Sequence, residues 1–180
     1  MEFKYFDVPG VVEILPRVFG DARGAFFESF SALKMEEAGI VGDWAQDNQS
    51  RSDRGVVRGL HFQKPPYAQA KLVRVAAGRA RDVVVDIRRD SPTYGRHVSV
   101  ILDSERYNML YVPVGFAHGF TALEDNTLFL YKCTNYYAPQ SEGGLLWNDP
   151  ALAIDWGVSS PTISAKDQVL PTLAEFESPF

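Results

Sequence analysis

The sequence predicts an all-β domain, a closed barrel or a sandwich, and three observations carry that expectation. Short apolar runs recur between turn-forming residues, as they do in chains of many short strands. Amphipathic stretches of helical period are few. Twelve Phe and eight Tyr supply rings that suit pleated, half-buried surfaces and can line a ligand pocket.

Val11–Leu15 is the first expected strand. Ala25–Phe30 follows and carries the aromatic pair Phe26 and Phe27. Val56–Gln63, Lys71–Ala76 and Arg81–Ile87 come next, and Ala77-Gly78-Arg79 between the last two reads as a hairpin turn. His97–Leu102, Met109–Val112, Phe120–Leu123 and Thr127–Cys133 complete the series. Turn signals separate them at Asp90-Ser91-Pro92 and Glu124-Asp125-Asn126. Ser31–Gly39 reads as a short helix, opened by Ser31 and closed by Gly39, and a second helix is expected to start at Ser164. No linker, repeat or low-complexity stretch divides the chain. Residues 1–180 are therefore expected to form one domain, with the terminal segments as dimer-forming or peripheral extensions. Periodicity alone leaves sandwich, jelly roll and barrel open.

Composition excludes several function classes. The formal net charge is -5 with both signs mixed along the chain, which opposes a nucleic-acid binder. An anionic ligand would have to be met by locally gathered Arg and Lys. The single cysteine, Cys133, cannot form an intrachain disulfide and points to a reducing compartment. The start MEFKYFDVPG lacks the basic and apolar regions of a signal peptide. No run approaches the roughly 20 apolar residues of a membrane helix. A soluble cytoplasmic protein, without nucleic-acid or membrane partners, is the expectation.

There are only three histidines. His97 lies in a strand-like run and reads as a partly exposed strand residue. His118 lies in PVGFAHG (113–119), which resembles the second motif of the cupin superfamily, a turn whose histidine ligates metal in metal-dependent members. Their first motif carries a second His and a carboxylate. Here the matching place is His61-Phe62-Gln63, without the second His or a close carboxylate. Two histidines are too few for an ordinary divalent site, so no catalytic metal is expected.

The combination of motifs is more specific. In order they are VFGDARGAFFES (18–29), QDNQS (46–50), VRGLHFQ (57–63), KLVR (71–74) and DVVVDIR (82–88). GFAHGF (115–120), FLYKCTNYY (129–137), EG (142–143), WNDP (147–150) and SAKD (164–167) follow. Together they resemble the dTDP-4-dehydrorhamnose 3,5-epimerases, from about Val8 to about Asp167. Ala70, before Lys71, stands where that family usually has Gly. The resemblance implies a cupin-type jelly-roll β-barrel with a few short peripheral helices. It also implies epimerisation of a thymidine-diphospho-4-keto-6-deoxy-sugar at C3 and C5, and a homodimer that exchanges N-terminal strands.

The chemistry explains the residue types. Protons flanking a ketone are acidic because the carbanion is an enolate. Their removal suits a histidine, whose ordinary pKa is near neutral, and the resemblance assigns this role to His61. It makes Asp167 the carboxylate that orients His61. SAKD also reads as a capping box, with Ser164 as N-cap, and Asp82 is the reserve partner for His61. Lys71 would hold the enolate in a dry site, with help from Arg58 or His118. Tyr131 would return a proton from the other face, since a phenol stays protonated at neutral pH. Arg23 and Arg58 would take the diphosphate. Glu28, Gln46 and Asn48 would hydrogen-bond the nucleotide, and Tyr137, or its neighbour Tyr136, would stack on the base. Glu142, Lys166 and His118 complete the expected substrate-binding set. No cofactor is required.

Strand alternation would point Arg58 and His61 to opposite faces. Either a bulge at Gly59 brings both inward, or Arg58 reaches the diphosphate from the rim. Three rival functions stand beside this reading. They are a mono-epimerase acting at C3 or C5 only, a metal-dependent cupin oxygenase or isomerase, and a non-catalytic sugar-nucleotide binding module. The first shares every residue named, the absent second histidine opposes the second, and the intact set His61, Asp167, Lys71 and Tyr131 opposes the third.

Overall fold

The computed structural model describes residues 1–180 and contains thirteen strands and one short α-helix. The first strands are β1 (Glu2–Tyr5), β2 (Val12–Leu15), β3 (Val18–Asp21) and β4 (Gly24–Phe27). Helix α1 (Ala32–Glu37) separates them from β5 (Gln46–Ser52), β6 (Val57–Gln63), β7 (Lys71–Ala77) and β8 (Arg79–Asp86). The remainder are β9 (His97–Asp103), β10 (Met109–Val112), β11 (Phe116–Ala122), β12 (Thr127–Cys133) and β13 (Glu142–Gly144).

Two antiparallel sheets face each other, in the orders β1-β2-β10-β7-β12-β5 and β13-β6-β11-β8-β9. Their inner faces share one apolar core. Val73, Val75, Leu110, Val112 and Phe129 come from one sheet, and Ala80, Val84, Val98, Phe116 and Phe120 from the other. Phe120 and Phe129 stack across the gap with ring centroids 3.9 Å apart. This two-sheet closure is the cupin-like jelly roll expected.

Each sheet also buries its outer face. Helix α1, with Met35, and the following Ile40 cover Val12, Ile14, Leu72 and Met109. The irregular C-terminal segment covers the second sheet, placing Trp147, Trp156, Phe176 and Phe180 over Val57, Leu60, Phe62 and Val85. Coverage on both sides explains why β8 is buried along most of its length. The chain ends are tied beside Asp86, where Arg88 bonds Asp86 and the carbonyl of Pro9, and Arg89 N–H reaches the carbonyl of Phe180. Burial would raise the Asp86 carboxyl, but Arg88, Ser91 and Thr93 hold it at about 2.

The expected strands exist, Met109–Val112 and Thr127–Cys133 to the residue and the others with shifted ends, and four elements differ from expectation. Ala77-Gly78-Arg79 is not a hairpin turn. β7 pairs with β10 and β12, β8 pairs with β11 and β9, and the chain changes sheets at Gly78. Gly78 has φ +78, and a Cβ there would lie 2.7 Å from Thr127 Oγ1, so this corner requires glycine. β11 begins at Phe116 rather than Phe120, so the PVGFAHG stretch is half strand. β4 ends at Phe27 and leaves Glu28–Phe30 outside the strand. At Ser164 there is no helix beyond a 3-10 turn at Asp167–Val169. No helix is long and apolar enough to cross a membrane.

Candidate active site

One end of the barrel interior is polar. The inward rows carry Gln46, Asn48 and Ser50 on β5, Tyr131 on β12 and Lys71 on β7. His118 on β11 and Arg58 and His61 on β6 complete the lining. A cavity of about 430 Å³ opens among all of these but Gln46 and Asn48, which face the second cavity. A second cavity shares His61, Lys71 and Tyr131 and extends to Tyr137 and Glu142. Leaving aside the alternates Asp82 and Tyr136, eleven of the thirteen residues singled out from the sequence therefore gather around these two spaces, Asp167 and Lys166 among them.

A bulge allows both Arg58 and His61 to point inward. His118 pairs with His61 and Phe120 with Arg58, so three steps along β6 face two along β11. Gly59 absorbs the extra residue with φ +138, and a Cβ there would lie 2.6 Å from Gly119 Cα. The same register puts two histidines side by side, each joined to a carboxylate. His61 Nε2 lies 2.7 Å from Asp167 Oδ1, and His118 Nε2 lies 2.8 Å from Asp82 Oδ2.

Asp167 is the partner of His61 and not a cap, since the 3-10 turn Asp167–Val169 has no side-chain cap bond and Ser164 only braces the turn before it. Its backbone N–H donates to Ser164 Oγ, 3.1 Å, while its carboxylate meets His61 and accepts Gly59 N–H, 3.3 Å. Burial would raise this carboxyl, but the His61 contact, the Gly59 N–H and the Ser164 hydroxyl hold it below the usual range. Asp82, the reserve partner for His61, instead serves His118. Its place on β8 sets it opposite β11, where Asp82 pairs with Phe120, two residues from His118.

Burial pushes the Lys71 ammonium down, against Cys133, Asp82 and Glu142, which favour its charge. Burial pushes the Tyr131 phenol up, and Arg58 opposes this, so the phenol keeps its proton at neutral pH. Arg58 is braced by Ser52 Oγ, 3.1 Å. At the mouth Tyr137 OH donates to Glu142, which also pairs with Lys166. Cys133 is buried and accepts a bond from Asn48, as a small packed residue should. His97 is a half-buried strand residue. No group of three or more His, Cys, Asp or Glu side chains is arranged to hold a metal ion.

Arg23 and Glu28 do not reach this pocket. Arg23 sits in the turn of the two-stranded ribbon β3–β4 and pairs with Asp21, and Glu28 pairs with Lys34. Sequence reading missed Gln63. Its amide donates to the carbonyls of Tyr67 and Tyr136 and accepts Ala138 N–H, fixing the loop that carries Tyr137. Its inward parity, two residues after His61, was the available signal.

Comparison with known proteins follows the same lines. A profile of the family described as dTDP-4-dehydrorhamnose 3,5-epimerase matches residues 5–175. The dTDP-4-dehydrorhamnose 3,5-epimerase of Salmonella typhimurium is 51% identical over 170 residues, 92% of each chain. The dTDP-6-deoxy-D-glucose-3,5-epimerase of Legionella pneumophila, solved with dTDP-4-keto-L-rhamnose, superposes with a TM-score of 0.94. It is 44% identical and covers 98% of this chain and 94% of its own. ChmJ, a 3'-monoepimerase from Streptomyces bikiniensis solved with dTDP-quinovose, gives a TM-score of 0.89. It is 35% identical and covers 94% of this chain and 87% of its own.

Proposed function

The chain belongs to the dTDP-4-dehydrorhamnose 3,5-epimerase family of isomerases, and from that premise we propose that it epimerises dTDP-4-dehydro-6-deoxy-D-glucose at C3 and C5 to dTDP-4-dehydro-L-rhamnose. The observation that carries this reading is the His61–Asp167 pair facing the same cavity as Lys71 and Tyr131. With Nε2 engaged by Asp167, His61 has Nδ1 available to take the proton beside the ketone. Asp167 stays anionic and supports the imidazolium that results. Lys71 stabilises the enolate oxygen, where burial strengthens the interaction. Tyr131, kept protonated, delivers a proton to the opposite face. The scheme moves protons only and uses no cofactor.

Binding falls to the mouth of the barrel. Arg58 takes diphosphate oxygens, and His118 contacts the sugar. Gln46 and Asn48 hydrogen-bond the nucleotide, Tyr137 stacks on thymine, and Glu142 and Lys166 close one side. Arg23 and Glu28 fit this set only in a homodimer whose exchanged ribbon reaches the neighbouring pocket. The exposure of Phe19 and Phe26 on that ribbon supports such an exchange.

Proton NMR of the substrate in deuterated water tests the proposal. The parent chain is expected to incorporate deuterium at both C3 and C5. His61→Ala should abolish both exchanges while dTDP still binds, and Tyr131→Phe should allow proton removal but block completed epimerisation. Exchange retained in His61→Ala overturns the base. Incorporation at one carbon only would make the chain a mono-epimerase like ChmJ, and none at all would leave a binding module.

A further inference from the structure

The second histidine–carboxylate pair has no part in proton removal, yet it is more deeply enclosed than the first. His118 is 7% exposed and Asp82 is fully buried, whereas the His61 side chain is 31% exposed. Both residues of the second pair stand on inward rows, between Phe116 and Phe120 on β11 and between Ala80 and Val84 on β8. One carboxylate oxygen, Oδ1, is sealed from solvent and makes no hydrogen bond. An isolated buried carboxylate is costly, and an apolar side chain would pack this position at lower cost.

Geometry limits what His118 can do. Its Nε2 is committed to Asp82, so only Nδ1 is left for the cavity that His118 lines. A neutral ring whose Nε2 carries the proton offers a bare Nδ1, which would repel a substrate oxygen. A ring with a proton on Nδ1 offers a donor. Two protons shared by the pair give Nδ1–H whether the inner proton sits on Nε2 or on Oδ2, and the pair is then neutral overall. A neutral pair does not repel the ammonium of Lys71, whose charge also acts on Asp82.

We infer that Asp82 is a positioning residue for the reaction: through Nε2 it holds His118 so that Nδ1–H points into the pocket and donates to the oxyanion formed when the ketone enolises. The inference rests on the epimerase reading and adds a second donor, set by β8, to the one supplied by Lys71. Burial works to raise the Asp82 carboxyl, His118 and Lys71 work against it, and the net direction is upward. That direction suits a carboxyl sharing its proton with the ring.

Two variants and one spectrum test it. Asp82→Leu removes the holder without leaving a buried charge. It is expected to lower kcat for deuterium incorporation by about 100-fold, the usual cost of one oxyanion donor, with dTDP affinity by calorimetry changed less than threefold. Asp82→Asn hydrogen-bonds the ring but carries no charge, and should recover part of the loss. With 15N-labelled histidine, three rings give three sets of signals, and His118 should carry a proton on Nδ1 in the presence of substrate. Either a kcat within threefold of the parent for Asp82→Leu, or a kcat loss matched by an equal loss of dTDP affinity, overturns the inference. So does a bare Nδ1 in the parent spectrum, a result that needs no variant to fold. If the parent exchanges substrate protons and His61→Ala does not, failure at Asp82 leaves the epimerase reading standing. A parent without exchange removes both.

Discussion

The two histidine–carboxylate pairs make the same hydrogen bond from the same ring nitrogen, but their carboxylates come from different kinds of structure. Asp82 stands in the middle of a strand bonded on both sides, by β11 and β9. Asp167 arrives on the irregular C-terminal segment, 106 residues from its histidine. The strand-borne pair is enclosed and its carboxyl is pushed up, while in the segment-borne pair the carboxylate is buried but the ring is partly exposed, and its carboxyl is held down. A base needs an orienting anion that stays ionised beside an accessible ring. A donor to a developing oxyanion needs a dry, fixed ring. Surroundings, more than the bond itself, thus separate the two roles.

The largest expected effect breaks this difference directly. Asp167→Asn keeps the shape but removes the charge that supports the His61 imidazolium. In a serine-protease triad the corresponding change costs about 10⁴ in kcat. A loss of at least about 10³-fold is expected here, measured as C3 deuterium incorporation at saturating substrate. That is roughly ten times the loss expected at Asp82. Equal losses at the two sites would mean that both carboxylates act merely as scaffold.

A smaller effect should come from the C-terminal segment itself. Phe176 and Phe180 pack edge-on against Phe62, with centroids 5.5 and 5.8 Å away, on the outer face of the strand that carries His61. Phe176→Ala should cost about 2 kcal/mol in thermal unfolding, below the range for a fully buried Phe because the ring is half-exposed. Hydrogen exchange should then rise in residues 160–180 while β8 and β11 stay protected. Activity should fall through His61 and Asp167 alone. Uniform loss of protection would show that the segment and the sheets unfold as one unit.

Much of the frame was legible in sequence, and the exceptions follow physical lines. β12 was readable to the residue because its inward row of Phe129, Tyr131 and Cys133 alternates with a wetter outer face. β5 was quoted as a motif but not as a strand, because QDNQSRS has no apolar row. Its inward residues line the pocket and are polar for that reason. The Gly78 corner looked like a hairpin because turn chemistry is local, whereas the choice of sheet is made by distant strands. The His61–Asp167 contact came through family resemblance. The His118–Asp82 contact required strand register, which no single-chain pattern supplies. Arg58 and His61 share a face only because Gly59 adds a residue, and the sequence allowed that bulge without requiring it.

The smallest effect is also the cleanest comparison, because the two carboxyls should give opposite signs. An acid whose folded pKa is lowered adds stability above its usual range, near pH 4, and loses it as pH falls through the folded value. Asp167 is of this kind: the His61 contact, the Gly59 N–H and the Ser164 hydroxyl outweigh its burial. An acid whose folded pKa is raised costs stability once pH exceeds its usual range, and the cost vanishes in acid. Asp82 is of this kind, because its burial outweighs His118 and Lys71. Urea midpoints at about pH 3 and pH 5.5, below the range where histidines ordinarily lose charge, would read both. The stability lost in Asp167→Asn should grow from the lower pH to the higher. The difference between the parent and Asp82→Asn should move the other way, with the variant gaining on the parent as pH rises. If both differences move in the same direction, the two carboxyls do not sit in contrasting environments, and the division of labour between the histidines loses its electrostatic basis.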